Sequence, residues 1–177
     1  MTTITYRSYP STERPPEIAA PVAGAFRAHE SAISTTELSR EDSLASDAVL
    51  ETVRPELEDV GFVIETGKAA ADQVTRPATF GTDGDPDRSY AVDGYHEGEN
   101  CVIEVEAGRA WDSNHVHRNL IRAMTTIGVE TLVMAVPRKY KHANATTPAF
   151  TRSREVAEML YRTRRVAVPF RLVLIGY

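Results

Sequence analysis

The sequence predicts an α/β fold with a central mixed β-sheet flanked by helices. Three observations carry that prediction. Hydrophobic periodicity switches between helical and strand spacing in the order helix, strand, hairpin, helix, strand, helix, strand. The run TLVMAV, Thr131–Val136, is apolar throughout, as a strand covered on both faces must be. The helical segments are amphipathic, so each has one face to lay on the sheet.

Residues 1–39 hold four of the prolines (Pro10, Pro15, Pro16, Pro21) and little periodicity. They are expected to be an extended or partly helical arm, with a short helix over Val22–Ile33 and a polar linker over Ser34–Ser39. Residues 40–177 are expected to be a single α/β domain. Its first helix is capped by Asp42 or Ser43 and runs to Asp59 on the stripe Leu44, Val49, Leu50, Val53, Leu57 and Val60. Pro55 should kink or divide it, and Gly61 should end it as a left-handed cap. Phe62–Thr66 reads as a strand. Gly67–Ser89 is an excursion whose tip, Gly81–Asp87, is all turn chemistry. Its alternating aspartates do not make a calcium loop, because Arg88 stands at the sixth position and Gly94 at the twelfth. Tyr90–Tyr95 and Cys101–Glu106 form a hairpin about the turn residues Gly98, Glu99 and Asn100. A helix follows from Asp112 or Ser113 to Ile127, with Val116, Leu120, Ala123, Met124 and Ile127 inward, and Gly128 stops it. Arg152–Thr163 is a helix packed through Val156, Met159 and Leu160, and Arg171–Tyr177 is the closing strand.

Composition bounds the function. At 42% hydrophobic and 25% charged, 177 residues suit one ordinary globular domain. No apolar run is long enough to span a bilayer, and the opening MTTITYRSYPSTERPP lacks the pattern of a signal peptide. The single cysteine, Cys101, allows no internal disulfide, which fits a cytoplasmic setting. The net charge of −5 conceals an asymmetry: residues 1–108 hold 8 Lys/Arg against 21 Asp/Glu, whereas residues 109–177 hold 12 against 4. Either the basic half holds a phosphate backbone, or the halves neutralise each other across the fold. The absence of a Gly-rich phosphate loop, a zinc-ligand pattern or a nucleophile elbow weakens kinase, dehydrogenase and serine hydrolase readings.

The hairpin carries the chemistry. Strand alternation puts Glu104 and Glu106 on one face, and the turn brings Asp93 opposite Glu104. Three carboxylates on an otherwise apolar hairpin repel one another and resist desolvation unless a cation sits among them. Hard oxygen ligands of this kind suit Mg²⁺ or Mn²⁺. Either they share an ion, or the face is exposed and each is solvated. Asp93, then Glu104-Val105-Glu106 about ten residues on, within the αβββαβ order of elements over Leu44–Tyr177, resembles the restriction endonuclease-like PD-(D/E)XK nuclease superfamily. The resemblance implies a divalent-metal phosphodiesterase. Asp93 and Glu104 would be ligands, the Val105 carbonyl a further one, and position 106 would act on the attacking water or bind metal. Glu51, on the first helix, corresponds to a glutamate that the superfamily often adds. Val92 stands in place of the motif proline and Glu106 in place of the lysine, a replacement that some restriction enzymes share.

His115, Arg118, Asn119 and Arg122 fall at i, i+3, i+4 and i+7, so they form one polar helix stripe that either touches phosphates or settles charge in the site. Arg109, and Arg138, Lys139 and Lys141 after the buried strand, are further candidates for phosphate contact. Trp111 either stacks on a base or packs. DNA is the expected partner, a homodimer is compatible with this reading, and no membrane is involved. The alternative is a nuclease-fold domain without catalysis, serving as a nucleic-acid-binding or assembly module, for which the missing lysine argues.

Overall fold

Residues 101–105, 131–136 and 171–176 are almost wholly apolar, and strands of that kind are stable only in a sheet covered on both sides. In the computed structural model they are the three central parallel strands. The structure describes residues 2–36, 44–107, 114–142, 145–163 and 165–177, with backbone only at 141, 142 and 145. Asp42, Ser43, Arg109, Trp111, Asp112 and Ser113, and the side chains of Lys141 and His142, lie outside the described residues. In chain order the elements are β1 (Thr5–Tyr9), α1 (Ala19–Ala28), α2 (Glu30–Ile33), α3 (Ser46–Val60), β2 (Val63–Ile64), β3 (Val74–Phe80), β4 (Pro86–Val92), β5 (Gly94–His96), β6 (Cys101–Val105), α4 (His115–Thr125), β7 (Thr131–Val136), β8 (Tyr140–His142), β9 (Ala145–Thr147), α5 (Ala149–Thr163) and β10 (Arg171–Gly176).

The main sheet has the order β1-β10-β7-β6-β5-β2, with β10, β7 and β6 parallel and the outer strands antiparallel. Alternation divides its side chains between two cores. Ile103, Val133 and Val173 meet Phe26 of α1 and Val53 and Leu57 of α3. Val102, Leu132 and Leu172 meet Val116 and Leu120 of α4 and Val156 of α5. Helices therefore cover both faces, as the fold class requires. Among the described residues no helix is long and apolar enough to cross a membrane.

Several elements differ from expectation for identifiable reasons. The N-terminal segment, extended and partly helical as expected, packs on the sheet: β1 pairs with β10 as an edge strand, and α1 buries Val22 and Phe26. Its sequence hides this, because an edge strand needs an apolar side chain only where it touches the core, here Ile4 and Tyr9. Phe26 is fully buried and stacks on Tyr177, so Phe26→Ala should cost about 3–5 kcal/mol in urea unfolding. Deleting residues 1–39 should unfold the domain and not merely trim it.

α3 runs through Pro55 undivided, and Gly61 ends it at φ 113° as a left-handed cap. The excursion after β2 contains a second hairpin, β3 with β4, whose exposed residues and bulged register around Pro77 gave no alternation to read. Tyr90–Val92 pairs with β3 and not with β6, so the expected first strand of the hairpin breaks at Asp93. In α5 Val156 and Leu160 pack inward as expected, with Ala149, Phe150, Ser153 and Ala157 beside them, whereas Met159 is exposed. Ile127 lies beyond the end of α4 and is also exposed. Strands β8 and β9, three residues each, are too short for periodicity to reveal.

Candidate functional site

Backbone register assembles the site. Ile64 pairs with Gly94, and Gly94 with Ile103, so one step along each strand Glu65, Asp93 and Glu104 form a row on one face. The N–H of Glu65 donates to the Asp93 carbonyl at 2.9 Å, and the Val105 N–H donates to Asp93 Oδ2 at 2.7 Å. Gly94 permits this spacing: a Cβ there would lie 2.4 Å from Ile64 Cδ1 and 2.9 Å from Ile103 Cγ2. The row opens into a cleft of about 230 Å³ that Asp47, Lys68, Glu106, His115, Arg118 and Arg122 also line. It lies at the carboxyl end of β6, where chains leave a sheet and ligands find room.

The cleft holds more buried negative charge than its cations relieve. Burial pushes the Asp93 carboxyl up to about 7, with the charges of Glu65 and Glu106 adding to the effect. The Val105 N–H and Lys68 act against it. Burial likewise holds Glu104 well above the usual carboxylate range, and neighbouring Asp93 raises it further against Arg122. Glu65, also buried, takes the Lys68 ammonium at 2.5 Å, which reaches Asp47 at 3.2 Å. Glu65, Lys68 and Asp47 were missed from the sequence. The signal for Glu65 was a glutamate at an alternating position of a short apolar strand, directly before a turn.

Glu106 shares the face but is spoken for. Its Oε2 pairs with His115 Nδ1 at 2.9 Å, and its Oε1 accepts from Asn119 Nδ2 at 2.7 Å. Arg118 stands 3.8 Å from Oε1, and the Tyr177 hydroxyl donates to the Glu106 carbonyl at 2.6 Å. Both carboxylate oxygens are thus engaged by α4. The predicted helix stripe does turn into the site: His115, Arg118 and Asn119 converge on Glu106. Arg122 donates to the Ala91 carbonyl and lies over the Tyr90 ring at 5.1 Å.

Other expected residues lie elsewhere. Glu51 is exposed on α3, and the carboxylate of that helix lining the cleft is Asp47, one turn earlier. The Arg138 guanidinium is committed to the Thr3 carbonyl and Thr5 Oγ1, which ties β7 to β1, and it lies over the Phe150 ring. Lys139 is exposed, with its N–H on Thr35 Oγ1.

Among the described residues no group of three acidic, imidazole or thiol side chains already stands arranged about a point that would hold an ion. The donors fit a hard divalent cation all the same. Mg²⁺ takes one or two carboxylates and keeps several waters, and half-buried Asp93 and buried Glu104 are neighbouring carboxylates that lack sufficient counter-charge.

No protein-family model matches the sequence, and no curated protein matches it. In three dimensions it is similar to the crystal structure of restriction endonuclease BglII complexed with a DNA 16-mer. The TM-score is 0.55, with 13% identity, over 99% of this chain and 77% of that one. Together with the mixed sheet flanked by helices, that likeness establishes a restriction endonuclease-like fold for this chain.

Proposed function

We propose that this protein is a divalent-metal-dependent nuclease that hydrolyses phosphodiester bonds in DNA. The observation that carries the reading is the adjacent pair Asp93, half-buried just before β5, and Glu104, buried on β6, which share a cleft and are short of counter-charge. Asp93, Glu104 and the Val105 carbonyl are the residues that would hold Mg²⁺ or Mn²⁺. When bound, such an ion acidifies a water and neutralises charge developing on a phosphate. The chain itself does the rest. The Val105 N–H fixes the Asp93 carboxylate, and Lys68 keeps Glu65 from adding free charge to the row. Arg118, exposed at the rim, would meet a phosphate oxygen. The DNA in the BglII complex supports the choice of polymer.

One observation favours a second reading, a DNA-binding module without catalysis: position 106 carries no lysine, and its glutamate is held by α4. Incubating plasmid, single-stranded and branched DNA with the protein and Mg²⁺ or Mn²⁺ decides between them. Cleavage that EDTA abolishes is expected. Binding without cleavage selects the module, and cleavage of RNA alone corrects the substrate. With Ca²⁺ in place of Mg²⁺, Arg118→Ala and Lys139→Ala should each flatten the slope of log K against log salt by about 0.9 if they touch duplex phosphates.

A further inference from the structure

A nuclease centre needs a group that receives the proton of the attacking water, and at position 106 the structure has an acid whose two oxygens already have partners. The partner of interest is His115. It is the first residue of α4, it lines the cleft, and its side chain is part-exposed where that of Glu106 is buried. A carboxylate can only accept hydrogen bonds, so a neutral imidazole 2.9 Å from Glu106 Oε2 must carry its hydrogen on Nδ1. Its Nε2 then presents a lone pair. The Asn119 amide, itself 1% exposed, locks the other carboxylate oxygen at 2.7 Å, and the Tyr177 hydroxyl fixes the Glu106 backbone. Among the described residues the structure gives the imidazole no other side-chain partner than Glu106. An ordinary surface ion pair does not need this much support on the acid.

We propose that His115, aligned by Glu106 and Asn119, accepts the proton of the attacking water through Nε2, so that Glu106 is a positioning residue that never touches water or metal. The inference rests on the nuclease reading. In the step, the water oxygen forms a bond to phosphorus, and its proton passes to Nε2. The ester P–O bond breaks with its electron pair on the departing oxygen, which takes a proton from solvent. His115 returns its proton to solvent, and the sum is a phosphodiester plus water giving a phosphomonoester and an alcohol. The function that the nuclease motif assigns to a lysine at position 106, just after β6, would here come from the helix opposite.

The test uses three readouts on the full chain. His115→Ala should lower single-turnover DNA cleavage by ~10²–10⁴-fold, the usual contribution of a general base. Added imidazole should restore part of that loss. The melting-temperature rise with Mg²⁺ should persist in the same variant, because His115 is no ligand, and this separates failure of the proposal from failure of the metal reading. Independently of activity, ¹⁵N NMR of the metal-free protein should show the neutral His115 ring protonated at Nδ1, and Glu106→Gln should weaken that preference. Cleavage by His115→Ala within about threefold of wild type would overturn the proposal, as would a ring protonated at Nε2 in wild type. Loss of the Mg²⁺ response in His115→Ala would make the histidine part of the metal site and overturn it too. A wild type that neither cleaves nor responds to metal removes the nuclease reading beneath it, and the tautomer still reports on the pairing.

Discussion

Asp93→Asn should yield a protein that melts higher than wild type without metal and no longer responds to it. The wild-type carboxylate is buried beside Glu104 and Glu65, and all three are negative when ionised. The substitution removes one of those charges, and the introduced amide oxygen can still accept the Val105 N–H that Asp93 Oδ2 takes at 2.7 Å. At this chain length each kcal/mol gained moves the melting temperature by about 2–4 °C. Metal acts the other way on the two proteins. A ligand that binds only the native state adds about 2.7 kcal/mol at a hundredfold excess over its Kd, so millimolar Mg²⁺ or Mn²⁺ should raise the wild-type transition by several degrees. The variant should stay where it is. Cleavage should fall by ~10³-fold, since an ion's Lewis acidity is worth several kcal/mol of barrier. Differential scanning fluorimetry with and without metal reads the first two effects. A variant that keeps the wild-type metal response would place the ion elsewhere.

Stability should also depend on pH in a direction fixed by the same residue. The Asp93 pKa rises from 3.8 in the unfolded chain to about 7 in the folded protein, chiefly through burial. Between these values the native state keeps a proton that the unfolded chain has released. The contribution of Asp93 is therefore fully present below about pH 4 and is lost as pH rises toward 7. Glu104 shifts in the same direction. Glu30 behaves oppositely: hydrogen bonds from Thr3 and Thr2 lower it to about 2, so its contribution is lost only in strong acid. Metal competes with protons for the same oxygens, so the Mg²⁺ effect should be larger at about pH 8 than at about pH 5. Melting curves of wild type and Asp93→Asn across that range isolate the term. Their difference should widen with pH, and a constant difference would show that Asp93 does not titrate there.

How much of this was legible in the sequence depended on whether a feature was local. Thr131–Val136 could be read because a strand buried on both faces has no charged position, and a run of six residues suits a strand better than a helix. The pairing of Asp93 with Glu104 could be read because a turn about Gly98 and Glu99 fixes the register, and Gly94 does pair with Ile103. The spacing of His115, Arg118, Asn119 and Arg122 defined a stripe, but not what it faces. Only the docking of α4 over the end of β6 shows that three of them hold Glu106. For the same reason the partners of Glu106 could not be read: strand alternation gives it the face of Glu104 and says nothing of the helix above. Glu65 escaped because its place in the row requires β2 to pair with β5, 30 residues away across a hairpin that the sequence did not announce. The edge strand β1 escaped because it pairs with the opposite end of the chain.

The proposed metal centre is tested most directly by crystals soaked in Mn²⁺ and measured for anomalous scattering at the manganese edge. A single strong peak in contact with the carboxylates of Asp93 and Glu104, with Glu106 still paired to His115 and Asn119, is the expected result. A peak at another site, or none at a concentration that supports cleavage, would contradict a metal centre on these two residues.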